Sequence, residues 1–156
     1  MPLVFLLMGP LMTEGAYYAV SGSWSVNALV LSIPVGLLVA AILHGNEWRD
    51  ISEDTRAGIV TLSSTVGREF AHLTYVGLVL GAYMTLAVAS AFGYLPAPAL
   101  LAVLSLPFLA QVIRSAELGA SGYPRAIAML DLQTARLHLA FGLLLVAGLV
   151  ASVYLR

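Results

Sequence analysis

His44-Gly45-Asn46-Glu47-Trp48-Arg49-Asp50-Ile51-Ser52-Glu53-Asp54-Thr55-Arg56-Ala57-Gly58 is the polar island of an otherwise apolar chain. It continues through Thr61-Leu62 to Gly67-Arg68, and four of the chain's eight carboxylates (Glu47, Asp50, Glu53 and Asp54) fall within eight residues of it. Apolar runs flank it on both sides. The whole chain is 60% hydrophobic and 10% charged over 156 residues, with a mean hydropathy of +0.95. Soluble domains carry about 25% charged residues, so lipid is the expected solvent.

Outward from the island, five apolar stretches reach the roughly 20 helical residues that a hydrocarbon core requires. They cover about 3–20, 26–45, 70–92, 95–114 and 137–155. Continuous apolar runs favour helices, because an unpaired strand in lipid leaves its backbone groups unsatisfied. The expected fold is therefore all-α, a single transmembrane bundle of about five helices. The start Met1-Pro2 leads directly into an apolar run with no basic n-region, so the first stretch reads as a span and not as a cleaved signal.

The connections alternate in character. Residues 21–25 and 93–94 are short and uncharged, whereas 46–69 and 115–136 are long and polar. Arg49, Arg56, Arg68, Arg114, Arg125 and Arg136 belong to the long pair or its edges. The positive-inside rule makes both long loops cytoplasmic, with the N-terminus inside and Arg156 outside. Net charge of −1 argues against nucleic acid as a partner. Absence of cysteine and lysine removes thiolate metal sites, thiol nucleophiles and Schiff-base chemistry.

Within the spans, Pro34 and Pro107 are expected to bend their helices. Gly77 and Gly81 form a GxxxG that suggests close helix contact. Glu14, midway along the first span, reads either as a polar cavity wall or as a packing residue protonated in place. His72 and His138 read as hydrogen-bonding residues near span ends. From Pro124 a short interfacial helix over 126–136 is expected to lead into the last span.

Asp50 and Asp54 are four apart. If the second span extends into the island, their Cβ atoms lie about 5–6 Å apart on one face, with Asn46 and Glu53 nearby. Mg²⁺ accepts one or two carboxylates, keeps waters and takes substrate phosphates for the rest. Arg49 and Arg56 offer the guanidinium fork that grips phosphate. Gly58 suits a helix C-cap, and the hydroxyls from Thr61 to Thr65 offer a new N-cap. Spacing alone leaves three readings open: a metal–phosphate site, an ordinary solvated loop, or an ion pathway.

The segment Asn46–Gly67 resembles the second aspartate-rich motif of the UbiA-type membrane prenyltransferases. It is most similar to that of the 1,4-dihydroxy-2-naphthoate polyprenyltransferases, N-x-x-R-D-I-x-x-D-x-x-A-G-[K]-x-T-L-x-x-x-x-G. Every fixed position but the lysine is matched, Ile59 standing in its place. Met8–Leu11, Gly15–Tyr18 and Thr134–His138 resemble the family's neighbouring helices. The resemblance implies a nine-helix fold around a central cavity, of which this chain would be the C-terminal half, since the first motif N-D-x-x-D-x-x-x-D is absent.

It also implies Mg²⁺-dependent transfer of a polyprenyl group from its diphosphate to an aromatic acceptor, dihydroxynaphthoate in the menaquinone branch. Asp50 and Asp54 would be the catalytic metal ligands, and Asn46, Arg49 and Arg56 would bind the diphosphate. Such an enzyme is integral to a bacterial or archaeal cell membrane and needs its missing N-terminal half for activity. Two other classes compete: a non-catalytic membrane subunit or regulator derived from the fold, and a small transporter using Glu14. An upstream reading frame encoding N-D-x-x-D would discriminate in favour of the enzyme.

Overall fold

A computed structural model describes residues 1–154, so the expectations for Leu155 and Arg156 lie outside the described residues. Among the described residues the chain is helical throughout, with no strand. Five helical segments are long and apolar enough to cross a membrane. We number the helices α1 (Pro2–Ser21), α2 (Val26–Arg49), α3 (Ile51–Ala57), α4 (Leu62–Ala91), α5 (Leu106–Ala120, preceded by a 3-10 stretch Ala97–Ser105) and α6 (Leu130–Tyr154).

The hub is α2. It packs against α4, α6 and α1, while α6 also crosses the 3-10 stretch ahead of α5. Apolar burial supplies the core, with Leu38, Val79, Leu86, Leu137 and Phe141 fully enclosed. Two polar pairs join helices across it, each giving a group in an apolar surround a partner. The Tyr75 hydroxyl on α4 shares a hydrogen bond of 2.6 Å with Thr134 Oγ1 on α6. His44 Nε2 on α2 lies 2.9 Å from the Ala71 carbonyl on α4.

Several expectations need correction. The long segment 46–69 is not a loop: α2 runs to Arg49, α3 follows at once, and α4 begins at Leu62. Only the short stretch of Ile59 and Val60 is without regular structure, between the left-handed Gly58 (φ 71°) and the Thr61 N-cap, whose side chain and that of Ser64 cap each other's backbone N–H groups. Gly67 (φ 83°, ψ 168°) then kinks α4 one turn after its start, a conformation open to glycine alone. The interfacial helix expected over 126–136 is instead a 3-10 turn Pro124–Ile127 and the first turns of α6. Pro107 bends nothing in mid-helix; it occupies the first turn of α5, where its missing N–H costs no bond.

The GxxxG expectation also fails in detail. A Cβ on Gly77 would meet nothing within 4 Å, and one on Gly81 would meet only Leu37 at 3.5 Å. Close backbone approach occurs elsewhere. A Cβ on Gly9 would lie 2.9 Å from Gly36 Cα, and one on Gly148 would run into the Pro98 carbonyl oxygen. Gly9 sits in a π-helical stretch, Leu7–Leu11, opened by Pro10, which has no N–H to continue the regular ladder.

Glu14 finds a structural explanation. It is buried, and its Oε2 accepts the N–H of Ser25, the N-cap of α2, at 3.3 Å. A carboxylate there faces the positive end of the α2 dipole. Its other oxygen, Oε1, is covered and has no hydrogen-bond partner.

Candidate functional site

The island forms a corner where α2 stops and α3 starts. Asp50 is the hinge. Its backbone (φ −92°, ψ 6°) leaves the helical range, yet its N–H still donates to the Asn46 carbonyl at 3.0 Å. Its own carbonyl accepts from both Glu53 N (2.9 Å) and Asp54 N (2.8 Å). The turn from Asp50 to Asp54 is therefore closed by an i to i+4 hydrogen bond even though the two helices are separate. Asp50 occupies the N-cap position of α3 without using its side chain as the cap.

That side chain is held by its neighbour. Arg49 Nε and Nη2 donate to Asp50 Oδ1 and Oδ2 at 2.7 and 2.9 Å, a two-pronged fork. Arg49 Nη1 also reaches Asp131 Oδ1, on the first turn of α6, at 3.1 Å. The fork holds the Asp50 carboxyl below the ordinary aspartate range, against a smaller opposing effect of burial. Asp50 is thus kept ionised and aimed by a cation that is itself anchored on a second helix.

The other expected residues fall around this pair. Asp54 is half-buried in the first turn of α3, while Glu53 and Arg56 are exposed. Asn46 is half-buried, and its Oδ1 is covered yet lacks a hydrogen-bond partner, as does Glu47 Oε2. Two residues that spacing did not single out join them. Asp131 is the one carboxylate between Arg125 and Arg136, a placement that in hindsight marks it as a partner for a distant arginine. His44, fully buried, lies with Nδ1 3.4 Å from Ser63 Oγ and 3.9 Å from Glu47 Oε2, tying α2 to the first turn of α4.

Two turns along α6 from Asp131, about 10 Å, His138 opens onto a groove of about 390 Å³ between α1, α2 and α6. Its walls are apolar (Leu31, Val35, Leu143, Val146, Leu149), with Thr13 the other polar contribution. His138 Nδ1 is covered and has no partner. So an anchored carboxylate, a second one a turn away and a greasy groove stand on neighbouring helices.

Magnesium fits the donors at the corner. Among the described residues no three His, Cys, Asp or Glu side chains converge as an all-protein cage would need. One ionised and aimed carboxylate, a second a turn away and an unpartnered amide oxygen suit a cation that takes few protein ligands and completes its shell with water and phosphate. Asp50 and Asp54 are the residues that would hold it.

Comparison with known proteins agrees with this architecture. Residues 2–121 match the UbiA prenyltransferase family. The chain is 30% identical over 150 residues to UbiA prenyltransferase domain-containing protein 1 of Homo sapiens, covering 96% of this chain and 42% of that protein. It is 32% identical over 149 residues to the protein of that name from Danio rerio, covering 96% and 42%. With that of Dictyostelium discoideum it shares 39% over 83 residues, 53% of this chain and 25% of the relative. The chain thus spans less than half the length of these relatives. They are eukaryotic and of that one type, so they lend nothing to the narrower expectations of a dihydroxynaphthoate-specific branch and a bacterial or archaeal membrane. With five helices of spanning length and a matched segment that takes in the whole Asp50–Asp54 corner, this is an integral membrane protein of the UbiA prenyltransferase family.

Proposed function

We propose that this chain provides the second aspartate-rich half of a Mg²⁺-dependent enzyme that transfers a polyprenyl group from prenyl diphosphate to an aromatic acceptor. The acceptor in this reading is 1,4-dihydroxy-2-naphthoate, which places the reaction in menaquinone formation. The observation that carries it is the Asp50–Asp54 turn, with Asp50 ionised and oriented by the Arg49 fork.

In this reading the corner faces the cytoplasm and receives the diphosphate, while the groove below His138 takes the prenyl chain. Bound magnesium would offset the negative charge that grows on the departing diphosphate. Asp50 and Asp54 position the headgroup, Asn46 contributes its unpartnered amide oxygen, and exposed Arg56 closes on phosphate oxygens from the solvent side. Arg49 acts through Asp50, since both prongs of its fork are committed there. Loss of diphosphate leaves an allylic cation, which an apolar groove shields from water until the aromatic carbon attacks. The ring then loses carbon dioxide, or a proton in other acceptors, to regain aromaticity.

A partner half is part of the proposal. The outer faces of α1 and α6 are largely uncovered, with Leu3, Leu11, Leu139, Leu143 and Val153 all exposed, and the relatives are more than twice as long. The test uses the completed protein. Asp50→Asn and Asp54→Asn should each lower prenyl transfer by about a thousandfold, the scale of losing several kcal/mol of charge stabilisation. Mn²⁺ binding followed by electron paramagnetic resonance should weaken in parallel. Undiminished turnover in both variants would overturn the assignment.

A further inference from the structure

A polar cavity of about 610 Å³ lies where the last turn of α2, the start of α4 and the end of α5 meet. It is lined by Trp48 of α2, by Arg68, Glu69 and His72 of α4, and by Gly119 and Gly122 at the end of α5. Trp48 and Asn46 are two residues apart on α2, about 200° around the helix, so α2 itself separates this cavity from the face that carries Asn46. Trp48 packs on His72 and Tyr75 with ring centroids 5.6 and 6.0 Å away.

Three features give the cavity a chemistry. His72 lines it, and the ring's Nε2 is covered and without a hydrogen-bond partner. Arg68 lies one helical turn before His72, on the same face, and is exposed. Glu69 is exposed beside it, and among the described residues neither Arg68 nor Glu69 makes an ion pair. The position matters as well. Arg68 and Glu69 stand where the long apolar run from Phe70 begins, and Leu73, one turn below Glu69, is exposed along the same face. Charges of both signs thus sit at headgroup depth with an apolar track beneath them.

We propose that this cavity binds an amine-bearing phosphodiester, the headgroup of a phosphatidylethanolamine-type lipid. The phosphate accepts from Arg68 and the His72 ring, the ammonium pairs with Glu69, and the acyl chains follow Leu73 into the bilayer. Glycerophosphoethanolamine offers the same chemistry in solution, so the test separates the two sources.

The whole chain has two tryptophans, Trp24 and Trp48. With Trp24→Phe, Trp48 alone reports on the cavity. The protein is titrated in detergent, with chelator present so that the Asp50–Asp54 reading plays no part. The probes are phosphatidylethanolamine, phosphatidylglycerol, phosphatidylcholine, glycerophosphoethanolamine and inorganic phosphate. Phosphatidylethanolamine should shift Trp48 emission saturably, and the other two lipids at least about fivefold less tightly. Arg68→Ala should weaken binding about tenfold, and Glu69→Gln should retain binding while erasing the preference over phosphatidylglycerol. A response to glycerophosphoethanolamine equal to that of the lipid supports the site with a soluble occupant. Identical shifts with all three lipids, or shifts indifferent to Arg68→Ala in a chain of unchanged helicity, overturn the proposal.

Discussion

Arg49 on α2 and Asp131 on α6 meet at 3.1 Å, across 82 residues of sequence. The same guanidinium holds Asp50 by two further bonds, so the orientation of the corner depends on a contact between helices that the local sequence does not contain. About a third of each side chain is exposed, which moderates the strength of the pair.

Separating these contributions is straightforward. Asp131→Asn should cost about 0.2–1 kcal/mol, the usual range for a partly solvated pair. Arg49→Ala should cost about 1–2 kcal/mol, since it removes a fork on a charged acceptor that is still partly wet. Denaturant unfolding in detergent, followed by helicity, measures both, and the double variant should cost less than the sum because the pair shares one cation.

Acid should act through Asp50 with a definite sign. Its folded carboxyl titrates below the ordinary value of 3.8 because of the Arg49 fork. The stabilisation it contributes is therefore complete above that ordinary value and is lost as pH falls through the lower folded one. Thermal midpoints compared between the parent and Arg49→Ala should differ by a constant amount from pH 7 to 5. Below pH 4 the difference should shrink, because the variant has no such contribution left to lose. A gap that widens on acidification would contradict the fork as the cause.

Glycine tolerance should follow the backbone contacts and not the GxxxG pattern. Gly148→Ala drives a methyl into the Pro98 carbonyl and should destabilise by about 1–3 kcal/mol. Gly77→Ala meets open space and should be neutral or up to about 1 kcal/mol stabilising. Unfolding midpoints of the two variants in one detergent decide the matter.

Alone, the chain should bind magnesium weakly and transfer no prenyl group. Its groove lies open beside the exposed faces of α1 and α6, and one aspartate pair supplies only part of a diphosphate's metal shell. Incubation with Mg²⁺, prenyl diphosphate and dihydroxynaphthoate, with product followed by mass spectrometry, is the check. Measurable turnover would remove the need for a partner half.

Hydropathy and the polar island were enough to predict a helical membrane bundle, because a continuous apolar run of that length has few other solutions. Gly58 as a C-cap and a hydroxyl N-cap near Thr61 were also legible, since caps depend on local backbone geometry. The motif from Asn46 to Gly67 pointed to the family for the same reason: its residues lie within one short stretch. What stayed hidden depends on approach between distant segments. Asp131 became the anchor of Arg49, Gly9 met Gly36, Gly148 met Pro98, and His44 locked onto the start of α4 only once the helices had packed. Side chains far apart along the chain acquire their meaning from where close packing leaves them, and no local pattern carries that information.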